Sequence, residues 1–170
     1  LRGPSRVHGQ GALKPSEWVF VKRVLDQRPV VLLAHRGEGV DHTTAAANIA
    51  ALIETVAGKP GRRILNSADP DAPSALQISR TIAQHLDHPW DEVLLDDNAP
   101  DALGQYPWDK RPPVVLDTTA STELGHRPAG DYASTVVAEL DWLISAAHGR
   151  DGAGLPSGLD HTHFAPTRDR

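Results

Sequence analysis

The chain has 170 residues, of which 39% are hydrophobic and 23% charged, with a formal net charge of −5 at pH 7. This length suffices for one domain with its own core, and the acidic balance with dispersed lysines and arginines disfavours a nucleic-acid partner. The absence of cysteine excludes disulfides and cysteine-ligated metals. No apolar run approaches the roughly 20 residues that a membrane span needs. We therefore expect a cytoplasmic protein without a membrane partner.

The start of the chain predicts a piece of a longer protein. The sequence contains no methionine and begins at Leu1, so residue 1 is not expected to be a translation start. Proline, glycine and arginine stand where a signal peptide would have an apolar core. Residues 1–13 are rich in glycine and predict a loop that follows a short strand.

The next part of the chain predicts a helix and then a strand. A helix is expected over 15–27, with proline and an acid in its first turn and Trp18 on its apolar stripe. The continuous apolar run at 29–35 is typical of a buried strand, and a polar turn with two glycines follows at 35–44.

Strand and helix signals keep alternating through the rest of the chain. Ser74 and Gln77 have the spacing of a capping box, which marks the start of one helix. The alternation over 1–148 predicts an α/β fold. Residues 149–170 have few apolar groups and no period, and they predict a disordered tail. The predicted elements after residue 43 are helices over 44–57, 74–86 and 118–125 and from Asp131 to Gly149, and extended segments over 62–69, 91–95 and 114–117.

Six stretches follow one another in an order that is familiar as a whole. They are LRGPSRVHGQGA, EWVFVKRVLDQRPVVLL, HTTAAANIAALIETV, RRILNSADPDAPSALQISRTIAQHL, VVLDTTASTELGHRP and VVAELDWLI. The fourth is the most specific, since a strand leads into Asn-x-x-Asp-Pro and a capped helix. Together they resemble the C-terminal half of an NAD(P)-dependent epimerase/dehydratase, a family of extended short-chain dehydrogenases/reductases. The resemblance covers 1–148.

The resemblance implies an α/β substrate-binding region in which short strands alternate with helices and most of the Rossmann sheet is missing. It implies NAD or NADP, bound mainly by an N-terminal half that carries the glycine-rich loop and the catalytic Tyr-x-x-x-Lys helix. The substrate would be a small polar molecule, including sugar derivatives, that reacts at a hydroxyl or carbonyl carbon. A homodimer of the full-length protein remains open.

Several positions depart from the family pattern. His8 and His126 stand where the family has tyrosines. Val40, Asp41 and His42 occupy the neighbourhood in which many sugar-nucleotide enzymes carry an arginine, so the resemblance does not by itself imply a diphosphate-sugar substrate. Arg36, in the preceding turn, is the candidate to replace that arginine.

The stretch YPWDK at 106–110 matches the spacing Tyr-x-x-x-Lys. In that chemistry the two side chains lie one helical turn apart, and the lysine lowers the pKa of the phenol. Pro107 disfavours helical dihedral angles at Tyr106, and two further prolines follow Lys110. We therefore predict a loop without a catalytic pair. Tyr106 and Trp108 would line a substrate pocket, or Trp108 would pack in the core beneath the loop.

Candidate site residues follow from the resemblance and from these loops. No catalytic residue and no metal ligand is assigned. The alternative for His8, His35 and His42 is exposed loop histidines, and the alternative for Trp18 is a core position. The predicted contacts are Pro4 and Val7 for the cofactor, and His8, Trp18, Arg36, His42, Tyr106 and Trp108 for the substrate.

Other patterns leave alternatives open. Asp69 and Asp71 in LNSADPD suggest acid–base chemistry or Mg²⁺, but they fit turn and cap roles better. Asp160 with the HTH at 161–163 resembles a metal site but has no supporting groups around it. The rival functions are a stand-alone, non-catalytic α/β binding module and a hydrolase using His and Asp, for which no motif is found.

Overall fold

The computed structural model describes residues 6–100 and 103–148. Short parallel strands and helices are mixed along this part, which confirms the predicted α/β class. Its elements are β1 (Arg6–His8), α1 (Trp18–Leu25), β2 (Val30–Leu33), β3 (Thr43–Ala45), α2 (Ala46–Ala57), α3 (Ala75–His85), β4 (Asp91–Leu94), α4 (Thr119–Glu123), α5 (Tyr132–Thr135) and α6 (Val137–His148). None of the helices in the described ranges has the length and apolar character that crossing a membrane requires.

The strands form two parallel pairs. β1 pairs with β3, and β2 pairs with β4 so that Leu33 lies opposite Leu94. Because parallel strands end at the same edge, the turn after β2 and the loop after β4 lie side by side. Both segments carry polar residues, His35 and Arg36 in the first and Asp96, Asp97 and Asn98 in the second. This edge is where the fold brings polar side chains of distant segments together.

Local signals predicted most elements correctly. The capping box at the start of α3 is present. The backbone amide of Gln77 donates to the Ser74 hydroxyl, and the backbone amide of Ser74 donates to the side-chain oxygen of Gln77. Asp131 caps α5 by accepting from the amide of Ser134. The predicted final helix is interrupted at Val136, which separates α5 from α6.

Two predicted extended segments do not form strands. The prediction over 62–69 is wrong, because none of these residues belongs to a strand and Asn66 alone among them is assigned a bridge. The segment 114–117 pairs only through the bridge between Val114 and Asp41. The first helix begins at Trp18, three residues later than predicted, since the preceding residues form turns. Gly149 and the predicted tail lie outside the described residues.

The core is centred on α1, which packs against α3 and α6. Phe20 is fully buried, and its ring stacks on Tyr106 with centroids 4.5 Å apart and on Trp108 at 5.8 Å. The segment 106–110 is a turn, as predicted, with the amide of Asp109 donating to the carbonyl of Tyr106. Trp108 is completely buried, which agrees with the core alternative for this residue. The turn therefore fixes the aromatic core rather than presenting a Tyr and Lys on one helix face.

Candidate functional site

A cleft of about 390 Å³ lies at the edge where β2 and β4 end. The carboxyl ends of parallel strands are the usual position of ligand sites in open α/β sheets. Every side chain that lines this cleft is polar or charged. The lining residues are His35, Arg36, Glu38, Asp96, Asp97, Asn98 and Arg111.

The turn after β2 has an unusual backbone. His35 and Arg36 are consecutive residues with φ of 48° and 57° in the left-handed region, which costs a residue other than glycine roughly 1–2 kcal/mol. Hydrogen bonds hold the turn in place: Arg36 donates its amide to the carbonyl of Leu95, and Ala34 donates to the carbonyl of Gly104, both at 2.8 Å. Strain of this kind clusters at functional sites in proteins.

Opposite charges alternate around the cleft. Arg36 donates to Asp96 at 3.1 Å, Arg111 donates to Asp97, and both aspartates have side chains that are 70% exposed. Exposed ion pairs of this kind contribute only about 0–1 kcal/mol, so a ligand can separate them at small cost. The cleft offers guanidinium donors beside carboxylate and amide acceptors, a combination that suits ligands rich in hydroxyls.

A second polar cluster lies in the interior, around Asp69. This carboxylate accepts from His8 at 2.8 Å, from the Thr43 hydroxyl at 2.6 Å, from the amide of Ala45 at 2.6 Å and from Asn48 at 2.8 Å. Burial acts to raise the pKa of Asp69, but the hydrogen bonds from His8 and the other donors outweigh it and lower the pKa. Asp69 thereby joins β1, β3 and the start of α2.

Asp71 and Asp69 both serve structural roles that the sequence suggested. Asp71 accepts from the amide of Tyr132 at 2.9 Å, at the first residue of α5, while Asp69 accepts from the amide that precedes α2. Within the described part of the chain, no group of three or more His, Asp or Glu residues could hold a metal ion. The HTH at 161–163 lies outside the described residues.

A third cluster pairs two buried acids, Glu17 and Glu139. Tyr132 donates its hydroxyl to Glu17 at 3.2 Å, and the amide of Gly9 donates to Glu139. Burial, followed by repulsion from Glu17, raises the pKa of Glu139 to about 9, and burial also raises the pKa of Glu17. Neither carboxyl is more than 1% exposed, so the pair ties the loop after β1 to α6 and offers no surface to a ligand.

Of the six predicted substrate contacts, only Arg36 lines the cleft. Trp18 and Trp108 are 5% and 0% exposed, and both belong to the core. Tyr106 is half-buried against Phe20. Of the two predicted cofactor contacts, Val7 is 44% exposed on β1, and Pro4 lies outside the described residues.

Two of the three loop histidines are buried. His8 is 1% and His42 is 4% exposed, so the expectation of exposed loop histidines is wrong for both. His42 donates to the carbonyls of Asp69 and Asp71 and accepts from the amide of Leu116, which occupies both of its ring nitrogens. Both imidazoles are buried because they form hydrogen bonds with buried groups, His8 with the carboxylate of Asp69 and His42 with these backbone groups. His35 alone of the three lines the cleft.

Sequence reasoning missed most of the cleft. Asp96, Asp97 and Asn98 lie in the loop after β4, one residue beyond its end, and Arg111 follows the turn at 106–110. The signal that could have found the first three is the run of polar residues that follows Leu94 and Leu95 at the end of a short strand. The contribution of Arg111 depends on long-range folding and has no local signature.

Solved structures share this fold, although no protein-family model and no curated protein sequence matches the chain. A UDP-glucuronic acid 4-epimerase from Bacillus cereus, in complex with UDP-glucuronic acid and NAD, superimposes with a TM-score of 0.62 at 14% identity. A UDP-glucose 4-epimerase from Thermotoga maritima with UDP-glucose gives 0.63 at 15% identity. The enzyme WbmG from Bordetella bronchiseptica, in complex with NAD and UDP, gives 0.63 at 20% identity.

These matches cover 85% of this chain but only 44%, 45% and 43% of the three solved chains. The chain therefore spans less than half the length of the structures it resembles, and it corresponds to part of the epimerase fold. The predicted resemblance in fold is confirmed, and identities at this level show the fold alone.

Proposed function

We propose that this chain is the substrate-binding part of an NAD(P)-dependent oxidoreductase or epimerase that acts on a hydroxyl or carbonyl carbon of a small, polar, sugar-derived substrate. The observation that carries the proposal is the polar cleft at the common edge of β2 and β4. The fold shared with NAD-dependent sugar epimerases supports the reaction class.

A sugar nucleotide fits the chemistry of this cleft. Guanidinium groups such as those of Arg36 and Arg111 bind phosphate oxygens with charge-assisted hydrogen bonds. The carboxylates of Asp96 and Asp97 and the amide of Asn98 accept hydrogen bonds from sugar hydroxyls. Two structural neighbours are described in complex with UDP-sugars, so UDP-glucose and UDP-glucuronic acid are suitable first ligands.

The residues of this chain do not fit a complete dinucleotide site. The sequence has no G-x-G-x-x-G or G-x-x-G-x-x-G motif, and the pairs Gly9 with Gly11 and Gly37 with Gly39 lie in the segments that follow β1 and β2, where neither pair leads directly into an α-helix. In the proposal, NAD or NADP is bound mainly by residues outside this chain, and Val7 and Pro4 touch it from β1 and the residues before it. No hydride-transfer step is assigned to the residues described here.

The remaining predicted substrate contacts take supporting positions in the proposal. His8 and His42 hold the buried network around Asp69, while Trp18, Tyr106 and Trp108 form the aromatic core beneath the cleft turn. Tyr106 does not act as the catalytic tyrosine in this account, because its ring stacks on Phe20 and 106–110 is not helical.

The alternative is a stand-alone α/β binding module without catalysis. It is favoured by the turn at 106–110, which leaves this chain without a helical Tyr-x-x-x-Lys pair. The genomic sequence upstream of Leu1 distinguishes the two. A glycine-rich loop and a helical Tyr-x-x-x-Lys there support the oxidoreductase, whereas a start codon at residue 1 supports the module.

Calorimetry tests the binding part of the proposal directly. UDP-glucose is expected to bind the chain, and NAD alone is expected not to bind with micromolar affinity. Micromolar binding of NAD by this chain would contradict the assignment of the cofactor site to residues outside it.

A further inference from the structure

His35 and Asp109 form a pair at the wall of the cleft. The Nδ1 atom of His35 lies 2.9 Å and 3.0 Å from the two carboxylate oxygens of Asp109. An ionised carboxylate only accepts hydrogen bonds, so Nδ1 carries the hydrogen. In the neutral ring this leaves Nε2 with a free lone pair, and the imidazole is an acceptor on its far side.

The free side of the ring is available to a ligand. The side chain of His35 is 30% exposed and lines the cleft, whereas that of Asp109 is only 7% exposed behind it. Among the described residues, none forms a hydrogen bond with Nε2 of His35. Nδ1 and Nε2 lie on different edges of the ring, so the bond to Asp109 leaves the Nε2 edge open.

The pair is held rigidly from both sides. His35 is fixed in its left-handed conformation by the hydrogen bonds of the turn after β2. Asp109 belongs to the turn at 106–110, which is anchored by the buried ring of Trp108. Its backbone touches Gly39 so closely that a Cβ there would lie 2.6 Å from the Cα of Asp109. Binding groups that are held in place by a supporting shell lose little entropy when a ligand arrives.

We propose that His35 is a ligand-binding residue whose Nε2 accepts a hydrogen bond from a sugar hydroxyl, and that Asp109 is its positioning residue. The inference rests on the proposed function and deepens it, since it assigns the sugar rather than the diphosphate to this wall of the cleft. Arg36 and Arg111 take the charged part of the same ligand.

Calorimetry with UDP-glucose and UDP separates the two parts of the ligand. His35→Asn is the variant of choice, because asparagine tolerates the left-handed backbone but cannot present the same acceptor. It is expected to weaken UDP-glucose binding about three- to tenfold, in line with one lost hydrogen bond, and to leave UDP binding unchanged. The matched control is His85→Asn, which removes another histidine paired with an aspartate, Asp141, on the surface.

Nuclear magnetic resonance of the imidazole nitrogens tests the positioning role without any ligand. The neutral ring of His35 is expected to carry its hydrogen on Nδ1, and Asp109→Asn is expected to release this preference and to weaken UDP-glucose binding as His35→Asn does. Circular dichroism establishes whether Asp109→Asn remains folded. If this variant unfolds, the magnetic resonance spectrum of the wild-type chain still shows which nitrogen of His35 carries the hydrogen.

The outcomes distinguish this inference from the proposed function. Equal affinity of wild type and His35→Asn for UDP-glucose, equal losses for UDP and UDP-glucose, or a hydrogen on Nε2 in the neutral wild-type ring would each overturn the role of His35 alone. A wild-type chain that binds no UDP-glucose would overturn the proposed function, and the assignment of His35 with it.

Discussion

Glu17 and Glu139 place two interacting carboxyl groups in the interior, one from the residue before α1 and one from α6. Two neighbouring carboxyl groups that are both buried are not both ionised, so the pair retains a proton. Tyr132 and the amide of Gly9 supply the donors. The shared proton joins the loop after β1 to two helices.

The acid pair predicts that stability falls as pH rises. The pKa of Glu139 is about 9 in the folded chain, above its ordinary value of 4.5, so the folded state holds a proton that the unfolded state releases. The stabilisation of the folded state by the protonated Glu139 is complete below about pH 4.5, and it is lost progressively as pH rises through about 9. Melting temperatures between pH 6 and pH 10 should show this decline.

Glu139→Gln should remove most of that decline, because the amide can donate to Glu17 without titrating. The matched control is Glu54→Gln, which changes an exposed glutamate on α2 and should keep the wild-type slope. A wild-type melting temperature that is flat over this range, or a Glu139→Gln variant with the wild-type slope, would contradict the shared proton.

Asp69→Asn should destabilise the fold by about 2–4 kcal/mol. The carboxylate accepts four hydrogen bonds from buried groups, and the amide of asparagine would point a donor at donors such as His8 and Thr43. Asp71→Asn is the control, since among the described residues the side chain of Asp71 accepts one hydrogen bond, from the amide of Tyr132, and the variant should lose about 1 kcal/mol. Urea unfolding monitored by circular dichroism gives the free energy of unfolding of both variants. Equal losses of stability would argue against a special role of the Asp69 hydrogen bonds.

Gln27→Gly should stabilise the chain by about 0.5–1 kcal/mol. Gln27 follows the end of α1 with φ of 53°, a left-handed position that glycine occupies without strain. Gln27→Ala removes the same side chain but keeps the strained backbone, so it should not stabilise. Thermal unfolding of the two variants separates the backbone effect from loss of the side-chain bond to Val24. Equal stabilities would show that the backbone at this position is not strained.

Local signals in the sequence predicted the elements whose causes are local. The reciprocal bonds of Ser74 and Gln77 need only three residues of separation, and Pro107 disfavours helical dihedral angles at the adjacent Tyr106. The strand expected over 62–69 failed because a strand requires a partner ladder, which composition does not reveal.

The candidate site depended on contacts between distant residues. Asp109 meets His35 from 74 positions away, and Asp69 meets His8 from 61. No spacing in the sequence indicates either pair. In the stretch YPWDK, the residue that contacts the cleft-lining His35 is the Asp between the Tyr and the Lys. Neither the predicted substrate contacts of His8 and His42 nor the alternative of exposed loop histidines anticipates their burial, because burial of a polar side chain depends on partners that only the fold supplies.

The central claim is that the cleft at the ends of β2 and β4 binds a sugar-derived substrate. Calorimetry of UDP-glucose with wild type, Arg36→Ala, Arg111→Ala and the control Arg62→Ala tests it most directly, since Arg62 is exposed and does not line the cleft. We predict binding by wild type and Arg62→Ala, and affinities lower by about tenfold or more in the two cleft variants. Absence of binding by wild type, or wild-type affinity in both cleft variants, would contradict the claim.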